Sequence, residues 1–137
     1  MDKQIGIWID TKKAKIVTLE EDQKTLKIVD SDIETRERVA GESKHFGRFG
    51  DQYHDHEKSK EQKLKKQTKD FFKAILQEIS DCESIVIFGP ANMKHELEKE
   101  IKNDHMLSTK LIGVETADSM TDNQASAWVV NYFKNSN

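Results

Sequence analysis

Apolar residues change their spacing once along this chain of 137 residues, and that change limits the folds it can adopt. Before residue 41 they occur in short β-branched runs, which are typical of strands. From residue 57 onward they recur every three or four residues, or form one unbroken run between such segments. Strands joined by short turns, followed by alternating helices and strands, predict an α/β domain with helices packed on a mixed sheet.

Three strands are predicted in the first part of the chain. Residues 5–9 are a buried β-branched run, residues 14–20 alternate loosely, and a third strand lies around Leu26–Val29, with a weakly alternating extension over 31–40. The polar connections between them have the length of hairpin turns. This pattern predicts an antiparallel meander.

The second part of the chain predicts the order αβαβα. A long amphipathic helix over 57–80 has its apolar positions in its second half, whereas its first half is almost wholly charged. We therefore expect the first half to reach beyond the body of the domain. The remaining predicted elements are a buried strand at 84–88, a helix at 91–102, a strand at 111–114 and a helix that begins at a Thr121–Gln124 capping box. Right-handed crossovers would make the later strands parallel.

Charge and hydropathy narrow the range of partners. The net charge is −3 and the pI is about 6.0, so the chain as a whole has no attraction for nucleic acids or for anionic membranes. Any RNA contact must come from a local basic patch, and no DNA partner is expected. No apolar run is long enough to span a bilayer, and the first residues lead into a strand without a signal-peptide pattern. Cys82 is the only cysteine, and Asp81 and Glu83 beside it should raise its thiol pKa. We expect a cytoplasmic protein with a structural cysteine and no cofactor.

The connection at 41–56 has no apolar periodicity and holds three glycines and three of the five histidines. It predicts a flexible loop inside a single domain that spans residues 1–137. Basic and aromatic residues in this loop and the following helix could contact phosphates and stack on bases. The candidate RNA-binding residues are Lys44, His45, Arg48, Phe49, Lys58, Lys65 and Lys66. The alternative is that both segments are simply solvated, since acidic residues are interspersed.

Several motifs resemble one family. Lys44–Gln52 reads K-H-F-G-R-F-G-D-Q and resembles the K-H-G-R-G-G-Q stretch in the middle domain of eukaryotic and archaeal class-1 peptide-chain release factors and of Pelota. Gly89–Leu97 is similar to that family's strand-G-x-A-x-x-K-x-x-L segment. Trp8–Asp10 and Gly113–Gln124 are similar to W-I-D and G-V-E-T-A-D-x-x-T-D-x-Q stretches of small stand-alone bacterial proteins of the same kind. The resemblance implies a ribonuclease-H-like five-stranded mixed sheet.

The resemblance also implies a role in translation. In the family, the glutamine of a Gly-Gly-Gln motif positions the water that hydrolyses peptidyl-tRNA, which would make Gly50, Asp51 and Gln52 the catalytic positions. Asp51 stands in place of the second glycine, so it restricts the backbone and adds a negative charge. We therefore expect a ribosome- or tRNA-associated binding module without robust hydrolysis. Peptidyl-tRNA hydrolysis through Gln52, as in ribosome rescue, is the alternative. No stretch resembles the family's codon-reading or partner-binding domains, and stop-codon release is not expected.

Two groups of residues could in principle hold a metal ion. A ribonuclease-H-like nuclease would use Asp10 at the end of the first strand with Glu115 or Asp118. We expect instead that Asp10 is a turn residue and that Asp118 is a loop or capping residue. The histidines His45, His54 and His56 could bind a metal or simply face solvent. We expect no metal at either place, and the sequence gives no indication of the oligomeric state.

Overall fold

The structure, a computed structural model, describes residues 3–31 and 50–136, with side chains described for 3–31 and 61–135. These residues form five strands and four helices. They are, in chain order, β1 (Lys3–Ile9), β2 (Lys13–Glu20), β3 (Gln23–Asp30), α1 (Gly50–Glu78), β4 (Ser84–Gly89), α2 (Met93–Lys102), α3 (His105–Ser108), β5 (Leu111–Thr116) and α4 (Asp122–Ser136).

The five strands form one mixed sheet in the order β3-β2-β1-β4-β5. Short turns join β1 to β2 and β2 to β3, and these pairs are antiparallel. β4 pairs with β1 and β5 pairs with β4 in the parallel sense. The helices α2 and α3 lie in the crossover from β4 to β5. The predicted α/β fold, a mixed five-stranded sheet with an antiparallel meander followed by parallel strands and packed helices, is therefore confirmed.

Each face of the sheet has its own apolar core. Alternate side chains of a strand point to opposite faces, so β1 and β4 contribute to both cores. α1 and α2 cover one face, where the buried residues include Ile5, Ile7, Ile85, Ile87, Phe71, Phe72, Ile75, Leu97 and Ile101. α4 covers the other face, where they include Trp8, Val17, Val86, Phe88, Ala125, Val129 and Phe133.

Two close contacts fix α4 and the segment before it. A Cβ on Gly6 would lie 2.3 Å from Val129 Cγ2, so only glycine lets α4 pack this close to β1. The predicted capping box is confirmed: the Thr121 N–H donates to Gln124 Oε1 at 2.9 Å, and the Gln124 N–H donates to Thr121 Oγ1 at 3.1 Å. Two backbone N–H groups at the start of α4 thereby have side-chain acceptors.

The prediction for the start of the long helix was wrong. α1 begins at Gly50, so residues 50–56, assigned to the loop, are helical. These residues lack the apolar periodicity from which a helix is predicted, so the pattern did not place a helix start at Gly50. The rest of the predicted loop, and the extension over 32–40, lie outside the described residues.

A second helix was missed altogether. The one-turn helix α3 begins at His105, in a segment for which no element was predicted. The carboxylate of Asp104 caps this helix, because its Oδ1 accepts hydrogen bonds from the Met106 and Leu107 N–H groups at 2.9 and 3.2 Å. β5 also runs past the predicted end at 114, as far as Thr116.

Candidate nucleic-acid interface

The two halves of α1 have different surroundings. In its second half, Phe71, Phe72 and Ile75 are buried in the core under the sheet. In the stretch 61–66 every residue is exposed. Successive residues of a helix point about 100° apart, so this stretch covers more than a full circle. This stretch is therefore less covered by the rest of the domain than the second half of α1, in the direction that the charged sequence predicts.

The direction of the projection follows from the connections. α1 leads through a short turn into β4 and therefore runs antiparallel to it. Its N-terminal half points toward the edge at which the parallel strands β1, β4 and β5 end. With a rise of 1.5 Å per residue, the stretch from Gly50 to Lys66 is about 24 Å long. Gly50 thus begins the part of α1 that lies farthest from its anchored end.

This half of the helix is also the basic part of an acidic protein. Between Glu57 and Lys69 there are six lysines and two glutamates, a net charge of +4. The whole chain carries −3, so the remainder carries −7. The six lysines are Lys58, Lys60, Lys63, Lys65, Lys66 and Lys69. A polyanion would be attracted by the helix and repelled by the body, which gives an approaching nucleic acid a preferred orientation.

An open groove of about 640 Å³ lies between α1 and α2. Leu64 and Phe72 line it together with three lysines of α1, Lys65, Lys66 and Lys69. Its α2 side carries Glu96, Lys99 and Glu100. The basic surface is therefore bounded on one side by two carboxylates.

The predicted RNA-binding residues fall into three groups. Lys65 and Lys66 are exposed on α1 and line the groove. Lys58 lies on α1 nearer its N-terminus, as do the possible catalytic positions Gly50, Asp51 and Gln52 and the histidines His54 and His56. Lys44, His45, Arg48 and Phe49 are outside the described residues. Lys69 was missed as a site residue, although its spacing of three and four from Lys66 and Lys65 already predicts a shared helix face.

Asp10 serves a turn. Its Oδ1 accepts hydrogen bonds from the backbone N–H groups of Lys12 at 2.8 Å and Lys13 at 2.9 Å, which fixes the connection between β1 and β2. Asp118 is exposed, and its backbone carbonyl accepts a hydrogen bond from Trp8 Nε1 at 3.3 Å. Within the described ranges, no three His, Cys, Asp or Glu side chains are grouped so that they could hold a metal ion.

Cys82 is buried, and burial is the main reason that its thiol pKa is raised. Lys110 and Lys3 lower the pKa, while Asp81 and Glu83 raise it further. The predicted direction is confirmed, although burial contributes more than the two neighbouring carboxylates. No helix in the described part of the chain is long and apolar enough to cross a membrane.

The described residues thus form a mixed five-stranded sheet covered by helices, one of which carries a basic, exposed stretch. No protein-family model matches the sequence, and neither does any curated protein. Among solved structures, the chain is similar to Pelota from Archaeoglobus fulgidus, with a TM-score of 0.57 and 9% sequence identity. The match covers 95% of this chain and 31% of the Pelota chain. The fold therefore resembles one part of Pelota, about a third of its length.

Two further solved structures give lower scores. An archaeal translation termination factor matches with a TM-score of 0.45 and 15% identity, over 97% of this chain and 39% of the factor. A protein described only as archaeal matches with a TM-score of 0.49 and 13% identity, over 97% of this chain and 38% of the other.

Proposed function

We propose that this protein acts in translation as an RNA-contacting module, which docks the basic half of α1 on a ribosomal particle or on tRNA without robust hydrolysis. The shared fold with Pelota and the release-factor-like motifs support a role of this class. The observation that carries the proposal is the stretch around 61–66, basic and exposed on all sides, on a chain with a net charge of −3.

Docking of this kind relies on phosphate contacts. Lysine side chains neutralise phosphates without reading sequence, and the release of counterions makes such binding strongly dependent on salt. Lys44 and Arg48 precede α1 in the chain and would extend the same basic surface toward the RNA. The net charge of −7 on the remainder of the chain disfavours other orientations.

The same docking would carry Gln52 toward the RNA, because Gln52 lies at the start of α1. Peptidyl-tRNA hydrolysis through Gln52 is the alternative function. Asp51 next to it places a carboxylate where phosphates are dense, and the repulsion opposes close approach of the tRNA end. For this reason the proposal is a binding module, and Gln52 is tested separately.

Binding is tested by cosedimentation with ribosomal particles and by tRNA binding, each at low and high salt. The triple variant Lys65→Ala/Lys66→Ala/Lys69→Ala should bind at least about tenfold more weakly, with a shallower salt dependence. The matched control is Lys12→Ala/Lys24→Ala/Lys134→Ala, which removes three exposed lysines from other surfaces. It should bind within about twofold of the wild type. Equal losses in both variants, or no wild-type binding at low salt, would contradict the proposal.

Release of peptide from peptidyl-tRNA is assayed on the same fractions for the wild type and Gln52→Ala. We expect no release above background from either protein, while both still bind. Release by the wild type that is lost in Gln52→Ala would instead establish the hydrolase. Because binding and release are read separately, the two functions are distinguished in one preparation.

A further inference from the structure

The two sides of the groove between α1 and α2 differ in charge. The α1 side carries three lysines, a charge of +3. The α2 side carries two carboxylates and one ammonium group, those of Glu96, Glu100 and Lys99, a net charge of −1. Within residues 3–31 and 61–135, neither Glu96 nor Glu100 takes part in an ion pair. The groove therefore offers cations on one side and carboxylate acceptors on the other.

The groove also has room for more than a phosphate group. Its volume of about 640 Å³ is within the range of sites for small molecules, roughly 300–1,000 Å³. Leu64 and Phe72 add apolar surface to the lining, and Leu64 is 37% exposed. Phosphate contacts need only lysines on an exposed surface. A nucleobase needs apolar surface for its ring and acceptors for the N–H groups on its edge, and the groove provides both.

We propose that the groove receives one unpaired base of the bound RNA, with the phosphates on the α1 side and the edge of the base at Glu96 and Glu100. This inference rests on the proposed function, which brings RNA to the lysines of α1. The lysines attract phosphates and the carboxylates repel them, so the two sides determine which way the nucleotide enters. A protein segment in the groove would cover the lysines assigned to RNA, whereas a nucleotide uses them.

The carboxylates favour guanine over the other bases. The Watson–Crick edge of guanine has two neighbouring donors, N1–H and the N2 amino group, and one carboxylate can accept a hydrogen bond from each. Adenine and cytosine have an amino group beside a ring nitrogen that is itself an acceptor, and uracil has one N–H between two carbonyl oxygens. In a duplex this edge is paired with the opposite base, so the groove selects a single strand, a loop or an end.

The base preference is measured by fluorescence anisotropy with short single-stranded RNAs of equal length. One consists of uridines only, and the others have a single central guanosine or adenosine. All carry the same charge, so the contribution of the lysines is the same for each. The wild type should bind the guanosine RNA at least about fivefold more tightly than the uridine RNA, as expected for a bidentate contact to a base. The adenosine RNA, a purine without the two neighbouring donors, should bind more weakly than the guanosine RNA.

The variant Glu96→Gln/Glu100→Gln should bind the guanosine and uridine RNAs within about twofold of each other, because the amide N–H₂ group cannot accept a hydrogen bond. Its affinity for the uridine RNA should be no lower than that of the wild type, since two negative charges are removed. The matched control is Glu20→Gln/Glu83→Gln, which removes two exposed carboxylates outside the groove. The control should keep the preference for guanosine.

Three results would overturn this inference alone: equal affinity of the wild type for the guanosine RNA and either of the others, a preference that survives in Glu96→Gln/Glu100→Gln, or an equal loss in the control. In each of these cases RNA is still bound, and the proposed function stands. If the wild type bound none of the RNAs at low salt, the inference and the proposed function would both fall.

Discussion

The two halves of α1 are one continuous helix, yet different forces hold them in place. The second half is anchored by Phe71, Phe72 and Ile75 in the core between the sheet and α2. The first half, as far as it is described from residue 61, is exposed on every side and basic. Apolar burial stabilises the anchored half, whereas the projecting half depends on charge and on partners. The anchored half therefore serves the fold, and the projecting half is available for binding.

The largest effect is expected from breaking the anchored half. Ile75 is fully buried, so Ile75→Ala removes apolar contacts and leaves a cavity, which should lower the free energy of unfolding by about 2–5 kcal/mol. Leu64→Ala in the projecting half should change it by about 1 kcal/mol or less, because Leu64 is partly exposed and alanine favours helix. Urea denaturation at low protein concentration compares the two. Similar losses would show that both halves are packed.

A buried lysine on β2 can be compared with the exposed lysines of α1. Lys15 on β2 is 5% exposed, and its Nζ donates to the Met120 carbonyl at 2.7 Å and pairs with Asp122 Oδ1 at 2.9 Å. It also lies 5.3 Å from the centre of the Trp8 ring. This lysine links the segment before α4 to the sheet, whereas Lys66 on α1 is exposed.

Lys15→Ala should therefore lower the free energy of unfolding by about 2 kcal/mol, through loss of a charged hydrogen bond and of packing. Lys66→Ala should change it by no more than about 0.5 kcal/mol, as is usual for exposed sites. Thermal and urea unfolding of the two variants test this difference. The prediction fails if Lys66→Ala destabilises the protein as much as Lys15→Ala does.

An element could be predicted from the sequence where the pattern that indicates it is local. The apolar run at 84–88 identified β4, and the Thr121–Gln124 spacing identified the start of α4. The start of α1 could not be read from periodicity, because residues 50–60 have no apolar face to set a boundary. The burial of Lys15 depends on the Met120 carbonyl, 105 residues away in sequence. The α2 side of the groove could not be predicted either, because Glu96 and Glu100 line a groove only when the two helices pack side by side.

The smallest expected effect concerns two glutamates on α2. One forms an ion pair, and the other forms none within the described part of the chain. Hydrogen bonding to Lys102, followed by that to His95, lowers the pKa of Glu98 below its usual value of 4.5, although burial opposes the shift. A carboxyl group whose pKa is lower in the folded state stabilises the protein above its unfolded pKa. That contribution is lost as the pH falls through the folded pKa. For an exposed pair it should be well under 1 kcal/mol.

Glu98→Gln should therefore lower the free energy of unfolding slightly at pH 7 and leave it unchanged at a pH below the folded pKa of Glu98, where the wild-type carboxyl is also protonated. Glu100→Gln is the matched control, because Glu100 lies on the same helix and has no ion pair within the described part of the chain. Urea unfolding at both pH values measures how far each variant differs from the wild type in its free energy of unfolding. If the two variants showed the same dependence on pH, the Glu98–Lys102 contact would not distinguish the paired from the free side of α2. Glu100, which lines the groove, would then be compensated by other charges of the same chain as strongly as Glu98, which lies outside the groove.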